Sequence, residues 1–214
     1  MLNQLKNSGR KIAALLMILL PLQVFAAETA APKILIVGDS LSAGYGLNLE
    51  DSWTALLQNK LNEEGYGYKV INASISGDTT SNGLKRLPRA LRVHQPEIVI
   101  LELGGNDGLR ATPVAVTRQN LVNMIELSQE AGAKVVLAGM QMPPNYGEDY
   151  TEAFAQIYFD LAEEYGVALI PFFMKNVALN PAMMQADTIH PNKQAQPLLL
   201  ENTWEALEPL LQKL

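Results

Sequence analysis

The chain has 214 residues, enough to bury one ordinary core, and its 16 Lys and Arg against 22 Asp and Glu give a net charge of -6. Such an acidic surface repels phosphate backbones, which excludes nucleic acid as a partner class. The absence of cysteine excludes disulfides, Cys-type zinc sites and thiol nucleophiles.

At the N-terminus, Lys6, Arg10 and Lys11 precede the apolar run IAALLMILLPLQVFA, and small residues follow from Ala26. Basic, then apolar, then small is the order of a secretory signal, so residues 1–26 are expected to be removed and 27–214 to form the working domain. The uninterrupted apolar part, residues 12–20, is shorter than the roughly 20 residues a bilayer span requires. No stable membrane anchor is therefore expected after cleavage, and no cysteine is available for lipid attachment. Cleavage removes three basic and no acidic side chains, leaving a net charge of -9. An exported protein that relies on its core alone for stability is the expectation.

The elements then follow in chain order. Residues 33–38, KILIVG, form a first apolar run of strand length. Asp51 can cap a helix in which Trp53, Leu56, Leu57 and Leu61 share a face, and Gly65 ends it. A second strand is predicted over 68–73, then a helix over about 79–93, in which Pro88 is expected to cause a kink or a break. The third strand, 97–104, leads to a helix opened by Thr112 and Pro113 and stopped near Gly132. A fourth strand at 134–140, a helix over 151–165, a fifth strand at 167–172 and a helix over 194–212 complete the chain. Pro197 is tolerable there if the helix has only just begun.

The strand runs are continuous rather than alternating, as strands buried on both faces should be. Five of them alternating with helices predict a three-layer α/β/α sandwich built on a five-stranded parallel sheet, with ligands beyond the carboxyl ends of the strands. That edge gathers Ser40 after the first strand, Gly77 after the second, Asn106 after the third, and Asp187 and His190 after the fifth. Of the two histidines, His94 immediately precedes the third strand and sits at the opposite edge, so His190 is the one usable base for Ser40.

A serine hydroxyl attacks poorly until a base takes its proton, and a histidine needs a third group to hold its tautomer. Asp187, three residues before His190, can supply that carboxylate from a single turn. Attack on an acyl carbonyl creates an oxyanion, for which the N–H groups of Ser40 and Gly77 and the side-chain amide of Asn106 are the candidate donors. Asp39 is expected to accept backbone N–H bonds in the turn that presents Ser40.

GDSLS at 38–42, SGDTT at 76–80, GGND at 104–107 and DTIHP at 187–191 resemble, in order and spacing, the four blocks of the SGNH (GDSL) hydrolases. The resemblance covers essentially the whole mature chain. It implies a flavodoxin-like SGNH hydrolase fold, a Ser40–His190–Asp187 triad, an oxyanion hole of Ser40, Gly77 and Asn106, and no cofactor or metal. It also implies hydrolysis of acyl thioesters, aryl esters and lysophospholipids through an acyl-serine intermediate, with carbohydrate or short-chain acetyl esters as the alternative substrates. In the family, the loops at 108–112 and 141–150 line the acyl site, which makes Leu109, Met142, Pro143, Pro144, Tyr146 and Ile189 the candidate acyl contacts. The expected partner is a small-molecule ester or thioester, and the expected state is a monomer.

Two other classes compete. Asp39 and Asp107 with Asp187 and His190 would suit a metal-dependent phosphoesterase on the same sheet, but no dense ligand spacing such as Asp-x-Asp-x-Asp supports it. A flavodoxin-like binding module would need a phosphate loop after the first strand, and GDSLSAGYG has neither the G-x-G-x-x-G nor the G-K-[ST] spacing.

Overall fold

The computed structural model describes residues 31–213, so the expected signal segment, 1–26, lies outside the described residues. All five apolar runs become strands: β1 (Lys33–Gly38), β2 (Lys69–Asn72), β3 (Ile98–Glu102), β4 (Lys134–Ala138) and β5 (Ala168–Ile170). They pair in parallel in the order β2-β1-β3-β4-β5, with Gly38 opposite Glu102 at the carboxyl end of the β1–β3 pair.

The helices are α1 (Ser40–Ala43), α2 (Trp53–Glu63), α3 (Thr80–His94), α4 (Gly105–Leu109), α5 (Val114–Glu130), α6 (Glu148–Tyr165) and α7 (Gln196–Leu207). One face of the sheet carries α3, α5 and α6 in succession, and the other carries α2 against α7. Every residue of β3 is buried, as the continuous apolar run requires. Each fully buried leucine or isoleucine of this core, such as Ile34, Leu57 or Leu101, contributes about 1.5–3 kcal/mol of transfer free energy. Among the described residues no helix is long and apolar enough to cross a membrane.

This strand order fixes where ligands can bind. The chain leaves β1 towards β2 through α2 and leaves β3 towards β4 through α5, in opposite directions across the sheet. A crevice therefore opens between the carboxyl ends of β1 and β3. Ser40 and Asn106 follow those two strands and flank that crevice.

Several boundaries differ from the sequence pattern, each for a local reason. Ser52 rather than Asp51 caps α2, its hydroxyl accepting from the Ala55 N–H, because residues Leu49–Asp51 have already closed a 3-10 turn. Asp51 instead pairs with Lys193 at 2.9 Å. Pro88 does not break α3, which runs unbroken to His94. Its ring lies on the exposed side, while Leu87 and Leu91 keep the buried face intact. Helix α6 starts three residues earlier than expected, placing Glu148 and Asp149 in the first turn, where the helix dipole favours anions. The last helix is shorter, since 3-10 turns at Lys193–Ala195 and Glu208–Leu210 flank it. Pro197 then falls in the first turn of α7, where its missing N–H costs nothing.

Gly104 shows how tightly the active edge is packed. It has φ +119°, and a Cβ there would sit 2.0 Å from the Tyr158 hydroxyl, which donates to the neighbouring Leu103 carbonyl at 3.0 Å. Gly104→Ala is expected to destabilise the protein by about 2–4 kcal/mol, from backbone strain together with overpacking. Urea denaturation monitored by tryptophan fluorescence measures it.

Candidate active site

Ser40 is presented by a strand-to-helix turn. Asp39 caps the four-residue α1, its Oδ1 accepting from the Leu41 N–H at 3.0 Å, and Ser40 is the first helical residue. Asp39 thus does what the sequence predicts of it. It also accepts at Oδ2 from Asn106 Nδ2 at 3.1 Å.

The histidine arrives on a loop closed by an isolated antiparallel bridge between Met184 and Pro191. Within it, Gln185 N–H donates to the His190 carbonyl at 2.7 Å, and Thr188 turns the chain with φ +60°. Asp187 Oδ1 accepts from the backbone N–H groups of Ile189 and His190, both at 3.0 Å, while its Oδ2 lies 2.7 Å from His190 Nδ1. The other ring nitrogen, Nε2, is 2.8 Å from Ser40 Oγ. Two further contacts hold this loop against the turn that follows α1. Gln185 Nε2 donates to the Tyr45 carbonyl at 2.8 Å, and the Tyr45 ring packs on the imidazole with centroids 4.3 Å apart.

Backbone donation from His190, reinforced by its side chain and by the Ile189 N–H, lowers Asp187 to about 2. The carboxylate therefore stays ionised throughout the range in which an imidazole works. An imidazole held between that carboxylate and a hydroxyl can take the hydroxyl proton as the oxygen attacks, and return it to a leaving group.

The remaining predicted residues gather around Asn106. It lies in the first turn of α4, and Nδ2 donates both to Asp39 and to the Asp78 carbonyl at 3.0 Å, bridging the loops after β1 and β2. Its neighbour Asp107 fixes the start of α3, accepting from the Thr80 N–H at 2.8 Å and the Thr80 hydroxyl at 2.6 Å. Asp78 pairs with Arg86 Nε at 2.6 Å. Gly77 has φ +83° with nothing within 4 Å of a Cβ position. Among the described residues, neither its N–H nor that of Ser40 has a hydrogen-bond partner. His94 ends α3 at the far edge of the sheet, away from this cluster.

Ser40, Asn106 and His190 open onto a cavity of about 280 Å³. Leu109, Met142, Pro143 and Ile189 line it; Pro144 and Tyr146 do not. Tyr146 stands off the wall, its hydroxyl donating to the Leu109 carbonyl at 3.0 Å, so it holds the loop that carries Leu109. Met140, Phe172, Met174 and Met184 also line the cavity and were not foreseen. A signal existed for two of them: Met140 and Phe172 end the runs 134–140 and 167–172, at the edge where ligands bind. Among the described residues, no group of three or more His, Asp and Glu is placed to hold a metal ion.

A parallel five-stranded sheet with Ser40, His190 and Asp187 joined at its carboxyl edge describes an α/β hydrolytic enzyme of the serine type in architecture. The comparisons make the class specific. Residues 36–197 match the GDSL-like Lipase/Acylhydrolase family. The chain is 51% identical to Esterase TesA of Pseudomonas aeruginosa over 192 residues, covering 90% of this chain and 96% of that one. It is 46% identical to Thioesterase 1/protease 1/lysophospholipase L1 of Escherichia coli strain K12 over 197 residues, covering 92% and 91% of the two chains. The crystal structure of TesA superposes with a TM-score of 0.82 at 52% identity, covering 84% of this chain and 99% of that one. The chain belongs to the GDSL-like lipase/acylhydrolase family, the SGNH hydrolases.

Asp39 gives this site a pH signature in stability. Burial raises it from 3.8 to about 6, against the opposing bonds from Leu41 and Asn106. A raised acid binds its proton more tightly in the folded state, so its stabilisation is complete below about pH 4 and is lost as pH rises through about 6. Asp187, lowered, contributes in the opposite sense between about pH 4 and 2. Asp39→Asn is expected to remove about 3 kcal/mol of the stability lost between about pH 4 and 6. Melting temperatures of the two proteins across that range check it.

Proposed function

We propose that this SGNH esterase is a periplasmic acyl hydrolase that works through an acyl-Ser40 intermediate. Ser40 attacks the acyl carbonyl, His190 takes the proton and gives it to the leaving group, and Asp187 holds the imidazole and stabilises its charged form. Water, activated by the same imidazole, then releases the acid. The observation that carries this reading is the unbroken relay from Asp187 through His190 to Ser40, at 2.7 and 2.8 Å, at the mouth of an apolar cavity.

The oxyanion falls to the N–H groups of Ser40 and Gly77 and to the Asn106 amide. Among the described residues the two backbone donors are without partners at rest, as waiting donors should be. Asn106 differs, because both hydrogens of Nδ2 are engaged, one by Asp39 and one by the Asp78 carbonyl. It serves the oxyanion by loosening or sharing one of those bonds as charge develops.

The cavity wall is dominated by methionine and aliphatic side chains, with Leu109 and Ile189 at exposed positions. It suits an acyl chain, because a flexible thioether lining adapts to chain length, and leaves the leaving group towards solvent. Acyl thioesters, aryl esters and lysophospholipids share that acyl part and differ only beyond the carbonyl. The names of the relatives, an esterase and a thioesterase 1/protease 1/lysophospholipase L1, support this substrate set. The segment 1–26 acts as the export signal, and the working enzyme begins near residue 27.

Ser40→Ala and His190→Ala are each expected to lower p-nitrophenyl ester hydrolysis about 10⁴-fold or more with unchanged urea unfolding. Retention of most activity by either folded variant would falsify the relay. Asn106→Ala should cost about 10²–10³-fold in kcat with a smaller change in KM. A chelator should leave the wild-type rate untouched, whereas an organophosphonate should stop it and add its mass to the Ser40 peptide.

A further inference from the structure

The relay does not use Glu102, and its burial asks for an explanation. It ends β3 between Leu101 and Leu103, wholly inaccessible to solvent. Its Oε2 accepts from the Asp39 N–H at 3.4 Å and from the Ser42 hydroxyl at 2.5 Å, and among the described residues Oε1 has no partner. An aliphatic side chain would fill the same core position without desolvating a carboxyl. The opposing strand is also shaped around it: a Cβ on Gly38 would lie 2.5 Å from Glu102 Oε2 and 2.9 Å from the Ser42 side chain. Gly38 therefore leaves room for this contact.

We propose that Glu102 is a positioning residue for the Ser40 nucleophile, its carboxyl clamping the Asp39 N–H and the Ser42 hydroxyl, one on each side of Ser40. The proposal rests on the acyl-Ser40 reading above. Ser40 lies on a helix of only four residues, too short to hold its own place, so an anchor in the sheet must supply the rigidity. Glu102 is that anchor, since its backbone belongs to the central strand of the sheet.

The same contact sorts the charges beneath the site. Glu102 and Asp39 are buried side by side. Burial, and secondarily the charge on Asp39, push Glu102 well above the ordinary carboxyl range, while Asp39 rises only to about 6. The groups facing the pair are Asn106 from α4, Asp78 from the loop before α3 and His190 from its own loop; Arg86 donates to the adjacent Gly38 carbonyl. Burial favours the protonated form most at Glu102, whose carboxyl is wholly enclosed, while Asp39 also accepts from Leu41 and Asn106, which favour its ionised form. The Asp39 carboxyl sits where it orients Asn106 Nδ2.

The experiment follows the rate at which an organophosphonate modifies Ser40, alongside kcat and KM for a p-nitrophenyl ester. Modification of Ser40 in the wild type, read by peptide mass, is the control for the acyl-Ser40 reading itself; its absence would sink that reading rather than this one. Glu102→Gln keeps both acceptor contacts without a proton to lose, and is expected to stay within about threefold of wild type in both rates. Glu102→Leu removes both contacts and is expected to lower kcat and phosphonylation about 30 to 100-fold, with KM within about threefold, as small displacements of a nucleophile do. Ser42→Ala, which removes one contact with little change in volume, should slow both rates about three- to tenfold. A folded Glu102→Leu protein with wild-type phosphonylation overturns the proposal. So does a Glu102→Gln protein as slow as Glu102→Leu, or, should the Leu variant not fold, a Ser42→Ala protein at the full wild-type rate.

Discussion

The hydrogen bond between Ser40 Oγ and His190 Nε2 joins two residues 150 apart in the chain, and most of the edge of the sheet is organised to keep it at 2.8 Å. Neither partner sits on a long element. Ser40 opens a four-residue helix, and His190 lies on a loop closed by a single antiparallel bridge. A contact between two such segments would wander unless each were tied independently to something rigid. The Asp39 cap and the Glu102 carboxyl tie the first to the sheet, while Asp187, Gln185 and the Tyr45 ring tie the second to itself and to the first.

Three carboxyls of the same chemistry are driven apart by their surroundings. Asp187 is partly exposed and takes two backbone N–H bonds, so it is held low. Asp39 is buried but accepts from Leu41 and Asn106, which limits its rise to about 6. Glu102, fully buried and beside Asp39, is pushed well above the ordinary carboxyl range. Hydrogen-bond donors stabilise the ionised form and burial opposes it, and their balance at each position decides the protonation state. Asp187 thus sits on the side of the imidazole away from Ser40, and Asp39 beneath the turn that carries Ser40.

Much of this was open to reading from the chain alone. The continuous runs announced a sheet covered on both faces, and the rule that ligands bind at carboxyl ends sorted Ser40, Gly77, Asn106, Asp187 and His190 onto one edge while sending His94 to the other. Other features gave no periodic signal. Helices α1 and α4, of four and five residues, are too short to show a face. The wall formed by Met140, Phe172, Met174 and Met184 comes from the ends of separate elements, so its members look like ordinary core residues until the sheet is assembled. Tyr146 looked like an acyl contact because its loop lies at the right edge, but its hydroxyl is used to brace Leu109.

The sequence by itself determined the layers, the strand direction and which polar side chains gather at the carboxyl edge of the sheet, because these depend on the period of apolar residues and on chemical type, both local properties. Only the tertiary structure decided that Glu102, inside an apolar strand, is opposed by a glycine and reaches Ser42, and that Asn106 spends both hydrogens on neighbouring loops. Those facts arise from which strand ends lie side by side, and adjacency in a parallel sheet is set by crossovers spanning tens of residues. A hydrogen bond acts over about 3 Å, so no pattern within one segment can reveal its partner in another.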